Sequence, residues 1–160
     1  MENLKRRVNQ KTDYKKRIAL LKSGKIRLVV RKSLNSFLIQ FVDYVQKGDK
    51  TVSETNSFAL KKLGWKGHTG NIPSAYLAGL MAGTKAKEAG VEKSILDIGL
   101  QRSTKGNSIY AVVKGVADAG IKITFDKKMI PSDDRIKGDH IQNKENIGNF
   151  EEIKKKILSE

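Results

Sequence analysis

The sequence predicts an α/β protein of three layers, α/β/α, in which a mixed β-sheet lies between helices. Helix-like and strand-like segments follow one another in the order helix, three strands, helix, strand, helix. The connections within the run of three strands are short, which predicts an antiparallel meander. A helix separates the later strand from that meander, and this alternation is typical of an α/β sheet with helices on its faces.

The chain begins with a basic stretch that has two parts. Residues 1–11 show no periodic apolar pattern, so we expect an arm that becomes ordered on its partner. Thr12 or Asp13 can cap the helix that follows, which should run to Gly24. Its apolar residues recur at helical spacing, so one face should pack and the other should be basic; this stripe is Tyr14, Ile18 and Leu21, with Leu20 at its edge.

Three predicted strands follow, at residues 26–32, 36–45 and 51–55, with a turn at residues 47–50. In the first strand Arg27, Val29 and Arg31 share one face, because side chains alternate along a strand. A short helical turn is predicted after the third strand, over residues 57–63, ending at Gly64.

The second half of the predicted core alternates between helix and strand. A glycine-rich loop at residues 67–71 opens a helix over residues 72–89, whose small side chains should let it lie close to the sheet. A short buried strand is predicted at residues 95–98. Asn107 or Ser108 should cap the next helix, which ends at Gly120, and a short strand at residues 121–125 completes the pattern.

The C-terminal part is more polar. Residues 127–149 predict an irregular excursion, and a last helix at residues 150–158 places Phe150, Ile153 and Ile157 on one face. We therefore divide the chain into a basic N-terminal arm (1–11), an α/β core domain (12–126) and a C-terminal extension with a terminal helix (127–160).

The charge distribution predicts a polyanionic partner. The chain carries a net charge of +15, and its first 34 residues hold twelve basic and two acidic side chains. Nucleic acid is the partner that such a density favours, because each neutralised phosphate releases counterions. A membrane surface and a solvated basic tail are the alternatives. The arm has few large apolar residues, which argues against a membrane.

Composition excludes several classes of site. There is no cysteine, so disulfides and thiolate metal sites are excluded, and the two histidines stand far apart in the sequence. No signal peptide and no apolar run of about 18–20 residues is visible, so we expect a soluble, cytoplasmic protein. We expect no cofactor and no small-molecule substrate.

Two loops precede helices and could bind phosphate through free backbone N–H groups. The loop at 67–71 has neither the spacing of a P-loop nor that of a dinucleotide fold, and the loop at 102–106 reads Arg-Ser-Thr-Lys-Gly. A plain connection and a solvated turn are their alternatives. Tyr14 and Trp65 sit among cations and could stack on bases. Most of the other aromatics fall on core-like positions, namely Phe37, Phe41, Phe58, Tyr76 and Tyr110.

The acidic residues do not predict catalysis. Asp97 lies in a buried-looking strand and Asp118 near a helix end, with no histidine or second acid at catalytic spacing. Asp97 is therefore expected to be a satisfied structural group. An RNA-processing or RNA-modifying factor stays open as the alternative function; as an enzyme it would need a base, an acid or a metal site, and none converges in the sequence.

Several short blocks lie along the chain in a specific order and spacing. The blocks are Thr12-Asp13-Tyr14 with Arg17, Arg27 to Ser33, Gly70-Asn71, Ala75 to Leu80, Leu96 to Leu100, Lys114-Gly115, Asp118-Ala119-Gly120, and Asp134 to Gly138 with His140-Ile141. In these blocks the chain resembles a known family over residues 4–141. The family is the large-subunit ribosomal protein that binds 5S ribosomal RNA (L-eighteen, called L-five in eukaryotes), in its archaeal and eukaryotic branch.

The resemblance implies a non-enzymatic protein bound to the large ribosomal subunit. It would sit in the central protuberance and hold 5S rRNA against the large-subunit rRNA, beside neighbouring ribosomal proteins. Together with the charge pattern it predicts these RNA-binding residues: Lys5, Arg6, Arg7, Lys11, Tyr14, Lys15, Lys16, Arg17, Arg27, Arg31, Lys32, Ser33, Asn35, Lys66, His68, Asn71, Arg102 and Lys105.

Overall fold

A computed structural model of the chain describes residues 8–9, 11–46, 48–141 and 149–159. Most of the predicted arm, residues 1–7 and 10, lies outside the described residues. The fold is α/β, with a five-stranded mixed sheet in the order β3-β2-β1-β4-β5 and helices on both of its faces. The predicted fold class is therefore confirmed.

The meander forms as predicted. Strands β1 (Ile26–Lys32), β2 (Phe37–Val45) and β3 (Gly48–Asn56) pair antiparallel in sequence order. β3 begins earlier than expected, because the turn into it is tight and leaves Gly48 already paired with Val45. Leu28 and Val30 of β1 point into the core with Phe37, Ile39 and Phe41 of β2.

The remaining strands join β1 from the other side. β4 (Lys93–Asp97) pairs parallel with β1, and β5 (Lys122–Ile123) pairs parallel with β4. Helix α2 (Ile72–Glu88) connects β3 to β4, and helix α3 (Ser108–Asp118) connects β4 to β5. Because β1 and β4 run parallel, their carboxyl ends lie at the same end of the sheet.

Helices α2 and α3 pack on one face of the sheet and against each other. The small residues of α2 were expected to meet the sheet, but its two glycines face α3 instead. A Cβ at Gly79 would lie 2.3 Å from the Val112 carbonyl oxygen, and one at Gly83 would lie 2.5 Å from the Ala119 Cβ. Backbones this close leave no room for a side chain, so the two helices form one unit.

Helix α1 (Tyr14–Lys22) lies over the opposite face of the sheet. The Asp13 side chain accepts a hydrogen bond from the Lys16 backbone N–H, so the predicted cap is present. The expectation that one face of this helix packs is wrong: none of its residues is buried, and Ile18 is 54% exposed. The sheet face below carries the buried charges of Arg27 and Asp97 beside the apolar Val29 and Val42. A groove of about 830 Å³ separates α1 from this face.

The C-terminal segment contributes to the core. The segment predicted to be irregular, residues 127–149, contains a 3-10 helix (Lys127–Met129) and helix α4 (Asp133–Lys137). Its residues 142–148 lie outside the described part of the chain. Helix α5 (Phe150–Ser159) buries its predicted stripe, Phe150, Ile153 and Ile157. The rings of Phe150 and Tyr76 lie 5.7 Å apart between centroids. The boundary at residue 126 between the core domain and the C-terminal extension stays a prediction. Helix α5 nevertheless packs into the same hydrophobic core as the residues before that boundary.

Two aromatic side chains lie where the sequence did not place them. Phe58 was expected in the core but is 45% exposed, because it follows the cap Asn56 on the outer side of a 3-10 helix (Ser57–Leu63). Trp65 was expected to stack on bases but is 4% exposed and covers Gly67, where a Cβ would lie 2.7 Å from its ring. None of the described helices combines the length and the hydrophobicity needed to cross a bilayer.

Candidate nucleic-acid interface

Three loops meet at the end of the sheet where β1 and β4 finish. They are the turn at residues 33–36, the glycine-rich loop at 67–71 and the loop at 101–107. We call this surface the loop face. The sequence singled out parts of all three loops, which are far apart along the chain, and the fold brings them together.

Hydrogen bonds join the three loops. The hydroxyl of Thr69 donates to the Asn35 carbonyl oxygen at 2.6 Å, and the Gln101 side-chain amide donates to the Lys32 carbonyl oxygen at 3.2 Å. A Cβ at Gly70 would lie 2.7 Å from the Leu34 carbonyl oxygen, so the glycine is needed for this close approach. The loop face is therefore a fixed surface.

The beginnings of two helices contribute to the same face. Asn71 caps α2 by accepting from the Ser74 N–H at 2.9 Å, and Asn107 caps α3 by accepting from the Ile109 N–H. The His68 ring accepts from the Gly70 N–H at 3.0 Å. Asn71 thus has a structural role that the RNA assignment missed. Its position just before a proline-initiated helix was the signal for it.

Exposed cations border this face, and others lie on α1. Lys32, Lys66, Arg102 and Lys105 are exposed around the loops, together with the polar Ser33, Asn35 and His68. Lys11, Lys15 and Lys16 are exposed on or just before α1, where Tyr14 and Arg17 are half-buried. Lys5, Arg6 and Arg7 lie outside the described residues. The structure thus divides the predicted residues between the loop face and the α1 surface.

Arg27 does not belong to either surface. It is 2% exposed, and its guanidinium lies between Asp97, with Nη1 to Oδ2 at 3.1 Å, and Asp49, with Nη2 to Oδ1 at 2.9 Å. The Asp49 contact is a close ion pair, and the Arg27 Nε has no hydrogen-bond partner among the described residues. The assignment of Arg27 to RNA contact is dropped, because its charge is already neutralised inside the protein.

Asp97 lies at the centre of a charged cluster that it forms with Arg27, Arg31 and Asp49. Besides Arg27 it binds Arg31, whose Nη2 lies 3.1 Å from Asp97 Oδ1, and it accepts from the Gly99 N–H at 2.9 Å. The Arg31 Nη1 also donates to the Asp97 carbonyl oxygen at 2.7 Å. Asp97 is the satisfied structural group that the sequence predicted. Arg31 remains half-exposed, so it can still approach a ligand.

Asp49 connects α1 to the sheet. Its Oδ2 accepts from Arg17 Nη2 at 2.7 Å, while Arg27 lies on its other oxygen. Desolvation alone would raise the pKa of Asp49, but the hydrogen bonds and positive charges of Arg17 and Arg27 outweigh it and hold the pKa below its ordinary value. The sequence did not identify this residue, because its partners lie 32 and 22 positions away.

Replacing Asp49 with asparagine should loosen α1. The helix has no buried residue, so loss of the Arg17 contact should raise amide hydrogen exchange across residues 14–22 at least several-fold, with little change in the core. Since the folded pKa of Asp49 lies below the unfolded one, the contact should persist at neutral pH and weaken as pH falls through the folded value.

The control is Asp43→Asn, which changes an exposed carboxylate of the same hairpin that makes no ion pair among the described residues. It should leave exchange across residues 14–22 unchanged. Equal exchange in the Asp49 variant and the wild type would show that the ion pair does not hold α1.

No group of three or more histidine, cysteine, aspartate or glutamate side chains suited to a metal occurs among the described residues. The described surface carries exposed positive charges and three loops held together by hydrogen bonds. A mixed α/β core with a basic first helix and a cation-bordered loop face defines the general class, a protein whose surface suits structured RNA.

Comparison with known protein families identifies the family of this chain. The family described as ribosomal large subunit proteins 60S L5 and 50S L18 matches the chain over residues 2–94 and 84–126, which is most of its length. The chain belongs to this family. It is a ribosomal protein of the large subunit that binds rRNA, and this places it on ribosomes in the cytoplasm.

Proposed function

We propose that the protein binds 5S rRNA and attaches it to the large-subunit rRNA in the central protuberance, in contact with neighbouring ribosomal proteins and without catalysing a reaction. The observation that carries this proposal is the loop face. Its three loops are fixed together by hydrogen bonds and bordered by exposed cations, at one end of a folded core. Family membership supports an rRNA partner.

Cations on the two surfaces would neutralise phosphates where RNA strands crowd together. Polar groups of the loop face, such as Ser33 and Asn35, would fix the register on sugars and phosphates. Recognition would then depend on RNA shape. The proposed contact residues are Lys5, Arg6, Arg7, Lys11, Tyr14, Lys15, Lys16, Arg17, Arg31, Lys32, Ser33, Asn35, Lys66, His68, Asn71, Arg102 and Lys105.

Reversing two cations of the loop face tests the proposal. The double variant Lys32→Glu with Arg102→Glu should bind a 5S rRNA transcript at least about 100-fold more weakly at moderate salt, because two attractive contacts become repulsive. Both side chains are exposed, so the variant should fold normally. A gel-shift titration over a range of salt concentrations measures the affinity.

The matched control is Lys93→Glu with Lys122→Glu. These exposed lysines are paired at the opposite end of the sheet, where β4 and β5 begin, and the reversal changes the net charge by the same amount. The control should lose far less affinity. An equal loss in both variants would mean that overall charge, and not the loop face, determines binding.

A further inference from the structure

Leu34 is the most exposed large apolar side chain in the described part of the chain, at 92% exposure. It lies at the tip of the turn at residues 33–36, inside the loop face. We propose that Leu34 and the groove beside it hold one unpaired nucleotide of the bound RNA. This inference rests on the proposed function and deepens it by naming the RNA element that the loop face takes.

The turn holds Leu34 outward on a fixed backbone. The Ser33 N–H donates to the Ser36 carbonyl oxygen at 2.8 Å, and the Ser36 N–H donates to the Ser33 hydroxyl at 3.0 Å. Thr69 binds the next carbonyl, that of Asn35, from the neighbouring loop. Because the backbone is already fixed, binding costs only the rotamer freedom of the Leu34 side chain, and contact with a partner can add affinity.

A groove of about 530 Å³ runs between this turn and the loop at 101–107. Leu34 and the buried Ile109 supply its apolar lining, Thr104 and Asn107 supply polar groups, and Lys32 and Arg102 supply positive charge. The groove is open and shallow, so it suits a group that lies on the surface and not one enclosed in a cavity.

A nucleotide fits this combination of groups. Its base has an apolar face that can pack on Leu34, and its phosphate can pair with Lys32 or Arg102. Bases within a duplex keep their faces stacked on each other, so only an unpaired nucleotide can offer one to the protein. An apolar pocket on a neighbouring protein would also accept Leu34, but it would not explain the two cations beside the groove.

The test compares Leu34→Ala with Leu158→Ala, which removes a leucine that is 57% exposed on α5 and belongs to none of the three loops. A gel shift with a 5S rRNA transcript at several salt concentrations gives the affinity and its salt dependence. Leu34→Ala should weaken binding by about fivefold, the low end of the range for stacking of a base on an aromatic side chain, because leucine is aliphatic. The Leu158 variant should bind like the wild type.

The salt dependence separates packing from charge. Leu34→Ala should leave the slope of log affinity against log salt unchanged, because no cation is lost. Arg102→Ala should reduce the slope by about one phosphate contact. Because Leu34 is exposed, thermal melting of its variant should match the wild type.

Three results would overturn the inference. The first is wild-type affinity of Leu34→Ala for the RNA, and the second is an equal loss of affinity in Leu158→Ala. The third is normal binding of Leu34→Ala to RNA together with poor incorporation into large subunits, which would identify a protein partner. If the wild type itself does not bind 5S rRNA, the proposed function fails. The same variants titrated against a large-subunit rRNA transcript then decide the inference alone.

Discussion

Gly115→Ala is expected to destabilise the protein by at least about 3 kcal/mol, at the upper end of the usual overpacking cost. A Cβ at this position would lie 2.2 Å from the Tyr76 carbonyl oxygen and 2.7 Å from the Leu80 backbone nitrogen. Both are backbone atoms of α2, so no side-chain rotation can relieve the contact. The helices would have to separate, and the core between them would open.

Intrinsic helix propensity predicts the opposite sign for the change in unfolding free energy. Alanine in the interior of a helix is about 1 kcal/mol more favourable than glycine. If α2 and α3 did not approach so closely, Gly115→Ala would therefore stabilise the protein. The sign of the change in unfolding free energy, measured by urea denaturation, decides between the two.

Two further variants complete this experiment. Gly79→Ala should also destabilise, because its Cβ would lie 2.3 Å from the Val112 carbonyl oxygen on the other side of the same contact. Lys85→Ala, an exposed position on α2, is the control and should change the unfolding free energy by less than about 0.5 kcal/mol. Wild-type stability in both glycine variants would contradict the close helix contact.

Asp97→Ala is expected to cost about 3–5 kcal/mol, the usual penalty for removing one partner of a buried ion pair. Arg27 would be left with Asp49 alone, although its guanidinium is 2% exposed and already has an unpartnered Nε. Arg31 would lose its carboxylate partner too, but it is half-exposed and can turn to water. Chemical denaturation measures the loss.

The double variant Arg27→Met with Asp97→Ala tests whether the uncompensated charge of Arg27 causes the loss of stability. Removing both charges leaves an apolar side chain in place of the pair, and such replacements are often neutral or stabilising. The double variant should therefore recover most of the stability that the single one loses. If it is no more stable than Asp97→Ala, the uncompensated charge of Arg27 is not the reason for the loss. The exposed Asp43→Ala is the control and should be close to the wild type.

Local signals were sufficient for most of the elements. Asp13 and Asn107 cap α1 and α3, as short polar residues before a helical pattern predict, whereas the cap that Asn71 forms on α2 was not predicted. The spacing of Phe150, Ile153 and Ile157 predicted the buried face of α5. Each of these signals lies within a few residues of the element that it defines, and so it can be recognised in the sequence alone.

The errors in the site have a common origin. The chemistry of Arg27 and the apolar stripe of α1 were interpreted without their long-range partners. Arg27 pairs with Asp97, 70 positions further on, and α1 reaches the sheet through the Arg17–Asp49 ion pair, with none of its own residues buried. The backbone beside Leu34 is likewise bound by Thr69, which lies in a distant loop and donates to the Asn35 carbonyl oxygen. Sequence spacing gives no information about such pairings.

The sequence by itself determined the α/β class, the order of the elements, the basic character of the chain and the family to which it belongs. These properties depend on composition, on local periodicity and on short blocks of residues. Only the tertiary structure decided which cations are free to meet RNA, because that depends on which carboxylates the fold places beside them. It also decided that three separate loops form one surface, since the parallel pairing of β1 and β4 brings their ends to the same end of the sheet.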